Sequence, residues 1–304
     1  MKTKKIVFAV FAAFVLLVCF FSCAHADVFG QLGTAVAQGL GYNPDPRLVD
    51  AIVNAGVAWG RAIEEITPEQ EYFIGRAVAA TVLGTYRIQT NNPDKTAYIN
   101  KICNALIINS PRPEIFNSYH ANILDSDEIN AFATPGGHIF LTRGLVNCAA
   151  SEDALAAVIA HEIAHIQLEH GLGAIKNSRG LQAIKDTAGV AVAASGYEVN
   201  ELTGIFGDVV GEIVTTMMIR GYSREQEYDA DSVAMALLSL AGYEPSSLIE
   251  MLKVLEREQA GRRGGFNSTH PTPAQRISSA LGKVGNYDVP DTRSYRQARF
   301  AALR

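Results

Sequence analysis

The sequence predicts an α+β fold that is mainly helical, with a small β-hairpin beside one long helix. Helical periodicity and capping residues recur along most of the chain, whereas apolar residues alternate with polar ones mainly between residues 118 and 142. Hydrophobic residues make up 48% of the 304 residues and charged residues 19%. The chain therefore has enough apolar material for a buried core, and its composition is not typical of disordered or fibrous proteins.

The first 26 residues are typical of a signal peptide. Three lysines precede an uncharged apolar run at residues 6–21, and Ala24 and Ala26 stand where a signal peptidase recognises small residues. The run is shorter than the ~20 residues of a spanning helix. We therefore expect secretion across the inner membrane with cleavage before Asp27. Two alternatives stay open: Cys23 follows a segment that resembles a lipoprotein cleavage box, or the apolar run stays uncleaved as an anchor.

Charge and cysteine content limit the classes of partner. The net charge is −5, which argues against nucleic acid or an anionic membrane surface as the main partner. We expect peripheral contact with membranes at most, and the sequence does not set the oligomeric state. Cys103 and Cys148 match no zinc-finger spacing. They would pair in an oxidising compartment or remain two buried thiols.

The predicted elements begin after a Gly- and Ala-rich lead-in at residues 27–65. Thr67, Pro68 and Gln70 form the capping pattern of a helix start, and a second helix is predicted over residues 95–108. The next segments predict a strand, a hairpin with its turn at Pro-Gly-Gly, and a long helix capped by Ser151. The predicted ranges are 118–124 and 129–142 for these strands, 152–170 for the long helix, 223–241, 244–258 and 272–283 for later helices, and 286–304 for a peripheral tail.

The long helix carries the sequence His161-Glu162-Ile163-Ala164-His165. Residues four apart lie on one face of a helix, so both imidazoles can offer a nitrogen to one tetrahedral Zn²⁺ ion. Glu162 is then placed to act as a general base on a zinc-activated water without being a ligand. The alternative, two ordinary polar residues on a half-buried helix, is weak because the pattern is rare by chance.

A catalytic zinc site needs a third protein ligand and an open position. His170 is a poor candidate, because on a continuous helix it falls on the side opposite His161. Glu227 and Asp231 again lie four apart on a predicted helix, so Glu227 can bind zinc while Asp231 accepts the second N–H of a ligand histidine. By spacing alone Glu225 is also possible, and a solvated acidic helix face remains an alternative.

The segment Ser223-Arg224-x-x-Glu227-x-x-Ala230-Asp231 resembles a pattern of the M48 peptidase family, the group of CAAX-processing and HtpX-like proteases. The resemblance extends to residues 130–137 and 142–145 upstream and to residues 269–271 and Arg276 downstream, and it covers residues 66–285 in all. It implies a catalytic domain over that range with a zincin fold of the glutamate-ligand (gluzincin) class. It also implies one zinc ion per chain and selects Glu227 over Glu225 as its third ligand.

The resemblance implies further site residues. The edge of the hairpin at Asn130, Ala131, Phe132 and Ala133 would pair with an extended substrate by strand addition, although an ordinary core hairpin would also explain these residues. His270 would either donate to a developing oxyanion or bind zinc as a fourth ligand and silence the site.

Arg276 would orient the loop of His270 or the oxyanion, with a surface ion pair as the alternative. His120 and His138 have no partners in motif spacing and are expected to be structural.

These observations predict a zinc-dependent metalloendopeptidase. The chain is most similar to soluble periplasmic family members that act in outer-membrane protein quality control, which implies unfolded or misassembled envelope proteins as substrates. The rival hypothesis is a zinc-containing holdase or assembly factor that binds such proteins without cutting them. Glu162 distinguishes the two, because a protein that only binds needs no general base there.

Overall fold

The predicted hairpin is present and belongs to a mixed three-stranded sheet. In the computed structural model, β1 (His120–Leu124), β2 (Ala131–Thr134) and β3 (His138–Thr142) lie in the order β1-β3-β2. β3 pairs in parallel with β1 and antiparallel with β2, where Phe132 lies opposite Phe140. β2 is therefore an edge strand of this sheet.

The structure describes residues 65–303 except 109, 174–210, 212, 259–264, 271–272 and 288, together with Asp50 and Asn54. The predicted signal peptide with Cys23, and nearly all of the predicted lead-in, lie outside these residues. The chain divides into two compact units, and the one described below comprises residues 67–174 and 207–304. In the described part of the chain, no helix has both the length and the apolar character needed to cross a bilayer.

The helices begin and end close to the predicted positions. Two N-terminal capping boxes are present: the side chain of Thr67 accepts from the backbone of Gln70, and that of Ser223 accepts from the backbone of Gln226. The α-helices are α1 (Pro68–Thr85), α2 (Pro93–Ile107), α3 (Arg143–Cys148), α4 (Glu152–Gln167), α5 (Arg224–Leu240), α6 (Ser247–Glu258), α7 (Phe266–Thr269), α8 (Pro273–Leu281) and α9 (Arg293–Leu303). The mainly helical α+β prediction is confirmed.

Helix α4 is the central element of this unit. Every residue from Glu152 to Ile166 is buried, and the helix packs against β2 and β3 as well as against α2, α5 and α6. A helix that is buried on all sides must have its polar side chains satisfied by other protein groups or by a ligand. The histidines and the glutamate of the predicted motif therefore lie in the interior.

The first turn of α4 is fixed by contacts from three distant elements. Glu152 is 2% exposed and accepts hydrogen bonds from the hydroxyls of Tyr98 and Tyr243. It also accepts one from the Arg299 guanidinium, at 2.6 Å. A carboxylate at a helix N-terminus is stabilised by the helix dipole, and the surrounding donors compensate for its burial.

Helix α9 lies in the segment that the sequence predicts to be a tail. Its Phe300 is 7% exposed and belongs to the hydrophobic core. Its Arg296 Nε lies 2.5 Å from Asp153 Oδ1 on α4. The segment therefore contributes to the packing of α4.

A close approach between α1 and the hairpin turn explains two glycines. A Cβ atom on Gly75 would lie 1.6 Å from the carbonyl oxygen of Pro135, and Gly136 has a φ of +72°. Any side chain at position 75 would push the helix from the turn, and a side chain at 136 would be strained. Glu71 of α1 also accepts a hydrogen bond from the Gly136 N–H, at 3.1 Å.

The two cysteines that the sequence allows to pair are free thiols. Cys103 is fully buried, and burial raises the pKa of its thiol to about 12. A thiol with such a pKa remains protonated and unreactive at neutral pH.

Candidate metal centre

Two histidines of α4 form one side of a buried cluster of ligand atoms. His161 and His165 are 1% and 2% exposed. Their Nε2 atoms lie 3.1 Å apart, because residues one helical turn apart project in the same direction. The predicted pairing of these two imidazoles is therefore present.

Glu227 of α5 forms the other side of the cluster. Its Oε2 lies 3.5 Å from His161 Nε2 and its Oε1 lies 3.5 Å from His165 Nε2. Glu227 is completely buried, whereas Glu225 is exposed at the start of the same helix. Of the two glutamates that spacing alone allowed, the structure brings only Glu227 to the histidines.

His270, directly after α7, supplies a fourth nitrogen to the cluster. Its Nδ1 lies 3.3 Å from His161 Nε2 and 3.0 Å from Glu227 Oε1. One ligand atom from each of His161, His165, Glu227 and His270 can be chosen so that all four lie within 4.8 Å of one another. Ligands at 2.0–2.1 Å from a tetrahedral ion would be separated by about 3.4 Å, which is close to the separations found here.

Glu162 lies beside the cluster without forming part of it. It is 1% exposed, and its Oε1 has no hydrogen-bond partner among the described residues. The Nε2 of His270 lies 3.6 Å from that oxygen. Burial raises the pKa of Glu162, despite the opposing effect of His270. A buried carboxylate oxygen without a partner calls for a polar ligand next to it.

Asp231 takes the outer position that the sequence predicts for it. It lies one turn after Glu227 on α5, and its Oδ1 is 3.0 Å from His161 Nδ1. A carboxylate in this position accepts the Nδ1–H of the imidazole and leaves Nε2 free to bind a metal.

Arg276 of α8 lies in the interior next to two carboxylates. It is 1% exposed, which excludes the surface ion pair that the sequence left open. Its Nε and Nη2 donate to the two oxygens of Asp231 at 2.9 and 2.6 Å, and its Nη1 lies 2.9 Å from Glu227 Oε2. The guanidinium therefore orients the candidate third ligand and the outer partner of His161 together.

The charged groups of the cluster shift the pKa values of His161 and Glu227 in opposite directions. Burial and Arg276 lower the pKa of His161, but its hydrogen bonds to Asp231 and Glu227 outweigh both and raise that pKa to about 9. Burial alone would raise the pKa of Glu227, yet His270 and Arg276 hold it well below its ordinary value. Without a metal, the Glu227 carboxylate is ionised and the His161 ring carries a second proton at pH 7. A metal ion must displace that second proton in order to bind His161.

The donor set fits zinc. Imidazole nitrogens combined with one carboxylate are typical ligands of catalytic zinc sites. Structural zinc sites usually include cysteine thiolates among their four protein ligands, and this cluster has no cysteine. Glu162 Oε1, which has no hydrogen-bond partner among the described residues, lies 3.6 Å from Nε2 of the clustered His270. One zinc ion per chain remains a prediction that this donor chemistry supports.

Two further residues lie beside the cluster, Tyr222, which the sequence did not indicate, and His170, which the sequence placed on the opposite side of the helix. Tyr222 stacks on the ring of His165 with the centroids 4.1 Å apart. His170 places its Nδ1 2.8 Å from His165 Nδ1, because α4 ends at Gln167 instead of continuing. The prediction that His170 points away from the motif was wrong for this reason. Burial and His161 lower the pKa of His170 to about 4, so its ring is neutral at pH 7.

The predicted substrate strand lies next to α4, and its backbone groups alternate in direction. The Thr142 N–H donates to the Asn130 carbonyl at 3.0 Å. In an antiparallel ladder the backbone groups of Phe132 then also face β3, whereas those of Ala131 and Ala133 face the outer edge. The Ala131 N–H is taken by the side chain of Asn130, at 2.9 Å.

Comparison with known proteins identifies a matching family and several relatives. The family described as peptidase family M48 matches residues 93–284. The beta-barrel assembly-enhancing protease of Yersinia pestis is 26% identical over 217 residues, which are 70% of this chain and 44% of that protein. The protein of the same name from Escherichia coli strain K12 is 27% identical over 198 residues, which are 64% of this chain and 40% of that protein.

A similarity to mitochondrial proteins is of the same order. The mitochondrial metalloendopeptidase OMA1 of Schizosaccharomyces pombe is 29% identical over 185 residues, which are 60% of this chain and 51% of that protein. The chain thus spans about half the length, or less, of the curated relatives described here.

Proposed function

This chain belongs to peptidase family M48, and from that premise we propose that it is a zinc-dependent metalloendopeptidase. The observation that carries the proposal is the convergence of His161, His165 and Glu227 beside the buried carboxylate of Glu162. Two helices that are far apart in the sequence supply these groups, and each ligand side chain has an outer partner. Such an arrangement suits hydrolysis better than a purely structural site.

The chemistry divides between the metal and the chain. When bound, zinc would polarise a peptide carbonyl and lower the pKa of water. Glu162 would accept the proton of the attacking water at its unpartnered Oε1 and deliver it to the leaving amine. Because burial raises its pKa, Glu162 exchanges protons nearer to neutral pH than an exposed glutamate does. Asp231 and Arg276 would keep His161 and Glu227 in position.

The edge of β2 is the proposed site for the substrate backbone. The Ala131 carbonyl and both backbone groups of Ala133 would pair with an extended polypeptide, whereas Asn130 and Phe132 would support the strand from the ladder side. Residues Thr216–Arg220 pack against β2.

A proline at position 133 tests this role. Ala133→Pro removes an outward-facing N–H and leaves the ladder to β3 intact, which is where strands tolerate proline. We expect kcat/KM on casein to fall about fivefold or more, the effect of losing one backbone hydrogen bond, with little change in melting temperature. Ala133→Ser keeps the N–H and is the matched control. Equal kcat/KM values for the two variants would contradict strand addition at Ala133.

His270 is proposed to act as a fourth ligand that closes the site. Its Nδ1 lies as near to the other donors as they lie to one another. In this position the imidazole occupies the place that a reacting water would need. The alternative, donation to a developing oxyanion, requires the ring to turn away from Glu227.

The variant His270→Ala separates these two roles. If the imidazole closes the site, we expect zinc to bind at least about tenfold more weakly, since even the loss of an outer partner has that effect, and casein turnover to rise. Zinc affinity is measured by competition with a chelator and turnover at saturating zinc. Unchanged affinity with reduced turnover would instead assign the oxyanion role, and no change in either quantity would exclude both roles.

The substrates are proposed to be unfolded or misassembled proteins of the cell envelope. Two of the relatives are named for assisting β-barrel assembly, and strand addition recognises backbone rather than side chains. Export to the periplasm stays a prediction that rests on residues 1–26. The experiment that tests the proposed activity is degradation of unfolded casein by the zinc-loaded protein, with Glu162→Gln as the paired variant.

A further inference from the structure

His165 presents its two ring nitrogens to different surroundings. Its Nε2 lies 3.1 Å from His161 Nε2 and 3.5 Å from Glu227 Oε1, so this is the nitrogen that faces the metal centre. Its Nδ1 lies on the other side, 2.8 Å from His170 Nδ1. A neutral imidazole has one donor and one acceptor nitrogen. If Nε2 gives its lone pair to a metal, Nδ1 must carry the proton and needs an acceptor.

His170 reaches this position through a specific turn. After Gln167 the chain turns at Glu169, which has a φ of +55°, a conformation uncommon for residues other than glycine. The Glu169 N–H donates to the Ile166 carbonyl at 3.1 Å, which closes the turn. His170 then lies beside His165 and is 9% exposed.

A partly exposed ion-pair network contacts the same turn, in which the Arg112 and Glu169 side chains are 27% and 40% exposed. Arg112 donates to the Ile166 carbonyl at 3.3 Å and lies 3.6 Å from Glu169 Oε1. Its other terminal nitrogen donates at 2.8 Å to Glu71, which is 3% exposed. Arg112 therefore links the turn to α1. The position of His170 depends on these contacts as well as on the few local hydrogen bonds of the turn.

We infer that His170 is a positioning residue for the metal ligand His165, an inference that rests on the proposed zinc site. Its Nδ1 lone pair accepts the Nδ1–H of His165, while its own proton lies on Nε2. This hydrogen bond fixes the tautomer of His165 that leaves Nε2 available to the metal. Tyr222, stacked on His165 at 4.1 Å, limits the remaining rotation of the ring. The two ligand histidines are thus held differently, His161 by the carboxylate of Asp231 and His165 by the imidazole of His170.

Two substitutions at position 170 test this inference by zinc affinity. His170→Phe keeps a planar ring but has no acceptor, whereas Asn in His170→Asn can place its Oδ1 where Nδ1 lies. We expect zinc to bind about 10–100-fold more weakly to the Phe variant, as is typical for the loss of an outer partner, and the Asn variant to recover most of that loss. His120→Phe, at the exposed first residue of β1, is the matched control and should bind zinc like the unaltered protein.

The tautomer of His165 gives a readout that needs neither zinc nor turnover. In the metal-free protein, ¹⁵N chemical shifts of the ring should report the Nδ1–H form in the unaltered and Asn proteins and a shift toward the Nε2–H form in the Phe variant. The inference would be overturned if the Phe and Asn variants bound zinc equally well and showed the same tautomer of His165. This holds whether or not both bind zinc more weakly than the unaltered protein. If the unaltered protein binds zinc but cuts no casein, the proposed function fails while these measurements still decide the role of His170.

Discussion

Replacing Glu162 with glutamine is expected to reduce the turnover of casein by about 10²–10⁴-fold, the usual contribution of a general base, while the protein keeps its zinc. The amide has the size of the carboxylate but accepts no proton. Glu162 lies outside the ligand set, so the metal donors are unchanged. Because burial raises the pKa of this carboxyl group, replacing it with a neutral amide should leave the free energy of unfolding unchanged or raise it.

The matched control is Glu225→Gln. It makes the same chemical change at an exposed glutamate that lies two residues before Glu227, and it should change neither turnover nor zinc content. Turnover of Glu162→Gln within about twofold of the unaltered protein would contradict the general-base role, which calls for an effect of 10² or more. If the variant cuts nothing yet retains full biological activity, the holdase hypothesis is favoured instead.

Local spacing was sufficient to predict which side chains form most of the buried cluster. The i, i+4 repeats at His161 and His165 and at Glu227 and Asp231 each place two side chains on one helix face, and the structure brings those faces together. Spacing alone left Glu225 open beside Glu227, and the resemblance to a family removed that ambiguity. The hairpin followed from the Pro-Gly-Gly turn, whose glycines both have positive φ.

Apart from Asp231, the residues that support the candidate ligands could not be predicted, because their positions depend on tertiary contacts. Glu169 adopts its left-handed conformation without being a glycine, so nothing in the local sequence indicates that His170 returns to His165. The contacts of Glu152 come from Tyr98, Tyr243 and Arg299 on three separate elements. Pairing between elements far apart in the sequence leaves no periodic pattern for a sequence reading to detect.

Arg276 has the largest electrostatic role that the sequence did not define. It lies between Glu227 and Asp231, all three residues being at most 2% exposed. Burial raises the pKa of Asp231, but the Arg276 guanidinium outweighs that effect and the pKa lies below its ordinary value. Without the guanidinium, two adjacent buried carboxylates would repel each other and lack a counter-charge.

We therefore expect Arg276→Met to lower the free energy of unfolding of the metal-free protein by about 3–5 kcal/mol at pH 7, the effect of breaking a buried ion pair. The loss should be smaller in saturating zinc, because the ion supplies positive charge at the same carboxylates. A carboxyl group whose pKa is lowered in the folded state stabilises the fold at pH values above its unfolded-state pKa, which is about 3.9. This stabilisation is lost progressively as the pH falls from that value toward the folded-state pKa. The difference in the free energy of unfolding between Arg276→Met and the unaltered protein should therefore become smaller below about pH 4.

Urea unfolding of metal-free and zinc-loaded protein at several pH values measures these differences. Arg257→Met is the matched control, because Arg257 pairs with Glu258 at 3.4 Å on an exposed part of α6, where such a pair contributes about 0–1 kcal/mol. Arg276→Lys keeps the positive charge but lacks the forked geometry that contacts both carboxylates. Its loss of unfolding free energy should therefore lie between those of Arg276→Met and Arg257→Met. If Arg276→Met and Arg257→Met are equally stable without metal, then the guanidinium does not balance Glu227 and Asp231, and the ligand carboxylate must be held in place by its histidine neighbours alone.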